Sequence, residues 1–334
     1  MARYHRGQVA PASPSHNKKM PYFEPVILFF VLGAFAGFVR SDLKIPSALY
    51  DSLSIFLLLA IGLKGGVELA KYPLLEIALP ALAVVLAGAI IPLVAFPVLR
   101  HFGKLSNADS GSIAAHYGSV SVVTFAVGSA YLTRQGEATE GFMTVFLVLL
   151  EFPALVIGVL LARRGQSGTP WGQVLHEVLA GKSLVLLLGG LLIGWIAGPN
   201  GIVPLDRVFF DLFKGLLAFF LLEMGLVAAR RFDDLRRAGF FLVAFAILMP
   251  LASAALGLIT GYLLGLSVGG IALLATLYAS ASYIAAPAAM RIAVPEANPA
   301  LSIGAALGIT FPFNLIVGIP LYHRLAQQLH QAGV

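Results

Sequence analysis

The chain contains no cysteine among its 334 residues. That absence excludes a disulfide framework, thiolate chemistry and any metal site with sulfur ligands. Charge is almost as scarce. Asp, Glu, Lys and Arg together make up 11% of the chain, against about 25% in soluble domains. No G-x-x-x-x-G-K-[ST] segment is present, which removes the phosphate cradle of an ATP-driven pump. The formal charge of +6 is scattered over loop ends rather than gathered in one patch, which argues against nucleic acid as a partner.

What the chain has is apolar length. Hydrophobic residues make up 59%, and the mean hydropathy is +0.90. At about 20 residues per crossing, this is an all-α polytopic membrane protein in contact with lipid. Ten hydrophobic segments stand out, near 23–39, 47–70, 74–99, 112–132, 142–162, 183–197, 208–229, 240–264, 269–290 and 300–325. Pro80, Pro92, Pro97, Pro153, Pro250, Pro287, Pro312 and Pro320 fall inside them. In a bundle, neighbouring groups can satisfy the carbonyls such prolines free. Residues 1–20 form a basic tail with no apolar period, expected to be disordered. The tail lacks the apolar core of a removable signal peptide, and Met20 is an alternative start. The expected division is a first five-helix repeat at 21–165, a cytoplasmic linker at 166–182, a second repeat at 183–326 and a short tail at 327–334.

The two halves share a register. Leu32-Gly33-Ala34-Phe35-Ala36-Gly37 matches Ile193-Gly194-Trp195-Ile196-Ala197-Gly198. Phe56 to Leu63 matches Phe219 to Leu226 at an offset of 163 (219 − 56), and the same offset relates Ser119 to Ser282 and Glu151 to Asn314. Five spans per repeat force opposite orientations on the halves. Inverted repeats with interrupted helices at matching positions are the mark of a secondary transporter. Arg40, Lys44, Arg100, Lys104, Arg163, Arg164, Lys182, Arg230, Arg231, Arg236, Arg237 and Arg291 fall on one side. Lys71, Arg134, Arg207, Arg324 and four tail residues fall on the other. The richer side is cytoplasmic, so both termini are expected outside.

Polar residues interrupt the fourth and ninth segments at mid-span, in His116-Tyr117-Gly118-Ser119-Val120-Ser121 and Ser280-Ala281-Ser282-Tyr283. If each helix breaks there, its second half begins with free N–H groups and a positive dipole end. Two such ends crossing at the midplane make an anion site from backbone amides and serine hydroxyls. The alternative is that the serines bond back to their own helices or glue neighbours together. Glu151 sits at the centre of the fifth segment. An intramembrane carboxylate suggests function by default, as a Na⁺ ligand or a proton carrier, and Asn314 offers an amide oxygen at the matching position. A protonated, hydrogen-bonded Glu151 is the structural alternative. Lys64 and Glu223 read as snorkelling or structural pairs. His116 reads as a helix hydrogen-bonding residue, and with no further His or Cys nearby there is no metal centre beyond a Na⁺ site. An intramembrane enzyme would have to rest on Ser119 with His116, whose three-residue spacing shares a helix face only in an unbroken helix.

From about Phe23 to Ala326 the chain resembles the sodium-dependent bicarbonate transporter family. The resemblance is carried by Ile61-Gly62-Leu63-Lys64-Gly65-Gly66, Tyr117-Gly118-Ser119, Phe152-Pro153-Ala154-Leu155-Val156 and the stretch from Ser280-Ala281-Ser282 through Pro287, Arg291, Pro295 and Asn298-Pro299. It implies ten helices with crossed broken helices four and nine, divided into core and gate domains. It implies Na⁺-coupled uptake of bicarbonate, no organic cofactor, a homotrimer and a bacterial inner membrane. By resemblance, Gly118, Ser119, Val120, Ser121, Ala281, Ser282 and Tyr283 would bind substrate. Tyr117, Ser119, Glu151, Ser280, Ser282 and Asn314 would hold the cation. Glu151 stands where the family suggests aspartate, Tyr283 where it suggests a second acid, and Lys64 where it suggests a small polar residue. The family's PII-like regulator acts at the cytoplasmic face, and the short segment from Arg163 to Lys182 argues against it here. Another small carboxylate or inorganic anion, with Na⁺ or H⁺ coupling, is the alternative cargo.

Overall fold

The computed structural model describes residues 25–164, 171–230 and 232–332, with the backbone alone for 232–238. The expected basic tail, residues 165–170 of the linker region, Arg231 and the charged side chains from Asp233 to Arg237 lie outside the described set. Every long element among the described residues is helical. The first half comprises α1 (Pro25–Phe38), α2 (Ser47–Leu69), α3 (Leu74–His101), α4 (Asn107–Gly118), α5 (Val122–Gln135) and α6 (Met143–Ala162). Then come α7 (Trp171–Leu179), α8 (Lys182–Gly201), α9 (Phe213–Arg230), α10 (Phe232–Leu263), α11 (Val268–Ala279) and α12 (Ala285–Ala293). The chain ends in α13 (Pro299–Ala305), α14 (Phe311–Phe313) and α15 (Ile319–Ala332), which π turns join into one rod of 34 residues. Eight stretches are long and apolar enough to cross a membrane, with α4–α5 counted as one and α13–α15 as one. The other two expected segments correspond to α1 and α11, apolar helices of 14 and 12 residues.

Sequence dictates where the helices stop. Gly198 takes φ +62° ahead of Pro199, so the continuous part of α8 ends at Ala197, the boundary expected from hydropathy. Gly239 likewise takes φ +81° and begins the apolar part of α10. Such backbone angles are open chiefly to glycine. The linker differs from expectation. Residues 171–179 form a two-turn amphipathic helix that buries Val174 and Val178 and packs on α12 and α8. The C-terminal tail differs too, because α15 carries the rod on to Ala332.

Glycines matched between the halves mark the helix crossings. α1 lies along α9 and α2 along α8. A Cβ on Gly33 would sit 1.9 Å from the Leu222 carbonyl oxygen, and one on Gly194 2.2 Å from that of Leu63. Small residues let backbones touch where the bilayer supplies no hydrophobic drive. The α4–α5 stretch is the most enclosed, with 94% of its apolar window buried against 28% for α8. Leu75, Leu79, Leu82 and Leu86 on α3 point outward in a helical stripe, as lipid-facing residues do.

Prolines direct the polar contacts. Pro250 in α10 has no N–H for the Ala246 carbonyl one turn back. Thr310 Oγ1 donates to that carbonyl at 2.7 Å. With its proton committed, Thr310 accepts from the Tyr117 hydroxyl, also at 2.7 Å. A kink in one helix thereby fixes a side chain just before the break in another.

Candidate functional site

α4 stops at Gly118 because nothing larger fits. A Cβ there would lie 2.6 Å from Pro92 Cδ and 2.8 Å from Ala154 Cβ, so the helix end is wedged between α3 and α6. Ser119 (φ −87°, ψ 162°) and Ser121 (φ −107°, ψ 114°) are extended, and Ser121 Oγ caps α5 by accepting from Thr124 N–H at 3.2 Å. In the second half α11 ends at Ala279 and Ser280 is extended (φ −78°, ψ 164°). The Ser282 hydroxyl accepts from Ala286 N–H at 3.2 Å, at the start of α12.

The two breaks bond directly to each other. Ser282 N–H donates to the His116 carbonyl at 2.8 Å, and Ser121 N–H donates to Ser280 Oγ at 2.9 Å. Ser280 Oγ in turn donates back to the Leu277 carbonyl at 2.7 Å. The structure thus unites Ser119, Val120, Ser121, Ser280, Ala281 and Ser282 in one buried knot, with no residue above 4% exposed. These are the bonds of the structural alternative: Ser280 bonds back to its own helix and joins the two breaks, and Ser121 and Ser282 accept from N–H groups of the helices that follow.

The helices that follow each break also touch it. Ser119 Oγ donates to the Glu151 backbone carbonyl at 3.5 Å. Asn314 Nδ2 donates to the Ala279 carbonyl at 2.7 Å, and its Oδ1 accepts from Tyr322 at 2.8 Å. Asn314 is fully buried and its amide is used, whereas Glu151 Oε2 is buried with no hydrogen-bond partner. Tyr117 is drawn away from the expected cation set to Thr310. Tyr283 stacks edge-on against Phe311 at 5.3 Å, and its hydroxyl lies toward Ser121 without closing a hydrogen bond. His116 Nδ1 lies 2.7 Å from the Ser112 carbonyl, while Nε2 has no partner. His116 and Ser119 each bond to a backbone carbonyl rather than to each other.

Three cavities share lining residues in series, and two of them reach residues just past the breaks, Val122, Ile284 and Ala285. One of about 170 Å³ is lined by Glu151, Glu177, Lys182, Ile284, Ala285 and Ala288 among others. A second, of about 280 Å³, lies between α2, α9, α5 and α6 and reaches Phe125, Ala126 and Ile61. Between them a pinched, almost wholly apolar space of about 10 Å³ shares Ile61 and Ala126 with one cavity and Ile284 with the other. Lys64 and Glu223 do not meet. Lys64 lines the larger cavity, while Glu223 lies within electrostatic reach of Tyr50, beside Asp51. Sequence reasoning passed over Lys214 and Glu140, both of which line that larger cavity. An ionisable residue inside the hydrophobic segment 208–229 was the available signal for Lys214.

Residues 25–327 match the family profile of the Na⁺-dependent bicarbonate transporter superfamily. The chain belongs to that family. Membership makes it a multi-pass membrane protein of a transporter family rather than an enzyme family, and connects it with sodium and bicarbonate. The matched region contains both breaks and all three cavities. No curated protein matches the chain.

Proposed function

We propose that the protein takes up bicarbonate with Na⁺ by alternating access. It would have ten spans in two inverted halves, with termini outside a bacterial inner membrane. α1, α2, α8 and α9 form the gate, and the broken helices with α3, α6, α10 and α13–α15 form the core. The observation that carries this reading is the bonded pair of helix breaks beside an apolar pinch that separates two cavities. Movement of the core against the gate would open the pinch to one cavity at a time, exposing the half-helix N-termini to the anion. Gly118, Ser119, Val120, Ser121, Ala281, Ser282 and Tyr283 are the proposed anion contacts. Glu151, which lines the 170 Å³ cavity and whose Oε2 is buried without a hydrogen-bond partner, is the proposed cation group, supported by its burial and its place beside Ser119. A cation there would offset the charge of the bound anion. A homotrimer rests on family likeness alone.

The test is uptake of labelled bicarbonate into proteoliposomes with and without an inward Na⁺ gradient, wild type against Glu151→Gln. Gradient-driven uptake that collapses in the variant supports the reading. Uptake that ignores Na⁺ but follows a proton gradient moves Glu151 to proton transfer. With folded protein, the absence of bicarbonate uptake under either gradient overturns the cargo. Tyr283, standing where the resemblance suggests an acid, would then favour another small anion.

A further inference from the structure

The 280 Å³ cavity carries two lysines that form no ion pair among the described residues. Lys64 on α2 and Lys214 at the start of α9 line it, and neither has an ion-pair or hydrogen-bond partner among the described residues. Two carboxylates line the same cavity, and each has one oxygen engaged elsewhere. Glu68 pairs with Lys71 at 2.7 Å. Glu140 Oε1 accepts from Ser267 N–H at 2.6 Å beside the start of α11, while its Oε2 is buried with no hydrogen-bond partner. The opposite wall, on α5 and α6, brings the hydroxyls of Ser129 and Thr144, while that of Thr133 donates to the Ser129 carbonyl at 2.8 Å. The close approach of Gly65 to Thr144, where a Cβ would come within 2.4 Å, sets Lys64 beside that wall. A π turn at Arg207–Asp211 leads into Lys214, a distortion that recurs at functional sites.

We propose that this cavity is an anion-receiving subsite, separate from the helix breaks, in which the Lys64 and Lys214 ammonium groups hold a small oxyanion of the bicarbonate class. Both lysines belong to α2 and α9, and the hydroxyl donors belong to α5 and α6, so the anion would bridge the two sets of helices. Two unpaired ammoniums above low-dielectric walls focus an attractive field on anions. Ile61 and Ala126, shared with the apolar pinch, place the subsite on the path to the breaks. The assignment of a bicarbonate-class ligand rests on the function proposed above, while the anion preference itself does not.

The absence of cysteine supplies the test. Ser129→Cys places the chain's one thiol in the cavity wall with both lysines intact. In nanodiscs, with no ion gradient and at ionic strength held with gluconate, its reaction is followed with an anionic methanethiosulfonate and with a cationic one. The expected result is about tenfold faster reaction with the anionic reagent, of the order electrostatic focusing gives. Bicarbonate should slow that reaction. Adding Lys64→Gln and Lys214→Gln should bring the two rates together, and the Arg versions should keep them apart, which separates loss of charge from loss of fold. Equal rates in the lysine-containing protein, or a preference that survives removal of both lysines, overturns the subsite. A preference that bicarbonate does not reduce overturns the ligand class. Failed uptake with intact anion preference would count against the transport reading alone.

Discussion

Replacing Thr310 with valine keeps the side-chain shape and deletes one hydroxyl. Two fully buried groups lose their partner: the Ala246 carbonyl freed by Pro250, and the Tyr117 hydroxyl. An unsatisfied buried group costs about 1–3 kcal/mol in proteins generally, but interhelical hydrogen bonds in membranes average about 0.6 kcal/mol. That lower figure applies because an unfolded helix in lipid finds other partners. The Tyr117 bond follows it. The Ala246 carbonyl is orphaned within its own helix in any state that keeps the helix, so its loss lies nearer the upper figure. The sum is about 2 kcal/mol, readable by denaturant unfolding in mixed micelles. Thr310→Ser, which keeps the hydroxyl, should recover at least half. The sharper control is a Pro250→Ala background, where position 250 regains an N–H to donate to Ala246. There Thr310→Val should cost only the Tyr117 share. An equal cost in both backgrounds would refute the argument that the proline creates the need for the threonine.

Three further outcomes follow from the same geometry. Ser121→Ala removes the cap of α5 and should cost about 1 kcal/mol, with bicarbonate KM raised; unchanged unfolding would show that Thr124 N–H finds another acceptor. Gly66→Leu would drive a Cβ to within 2.0 Å of the Leu191 carbonyl, and should cost about 3 kcal/mol or more as α2 and α8 separate, seen as a drop in melting temperature and yield. Glu137, in the loop after α5, accepts from His323 and Gln327 on α15, and these bonds hold its carboxyl below the ordinary value. Its contribution is therefore present above the ordinary carboxylate value of about 4.3 and lost as pH falls through its lower folded value. Wild type should exceed Glu137→Gln by under about 1 kcal/mol at neutral pH and converge with it once the pH has fallen below the lowered folded value.

The breaks in the fourth and ninth segments were legible because Gly, Ser and His are costly at membrane depth and occur there in matching register. The end of α8 was legible because Gly198-Pro199 admits no continuous helix. α7 was legible in principle, since Trp171, Val174, Leu175 and Val178 follow helical spacing, but nine residues between charged ends pass easily for a loop. Contacts set by distant chain were not legible. Tyr117 belongs to Thr310, 193 residues away, only because Pro250 on a third helix leaves a carbonyl to share. The lysine-lined cavity is built from five helices, and its lysines are singletons in separate segments that gain meaning only when the fold places them together.

The apolar pinch between the cavities has a consequence for energy coupling. At about 10 Å³ it has room for at most about one water, with almost no polar wall to hold it, so no file of waters can cross. In the proposed mechanism, a proton hopping along such a file would short-circuit the driving gradient, so the residues lining the pinch would also act as electrical insulation. Widening the pinch with small side chains at Leu57 or Phe220 should appear first as a leak current, before any change in what the protein carries.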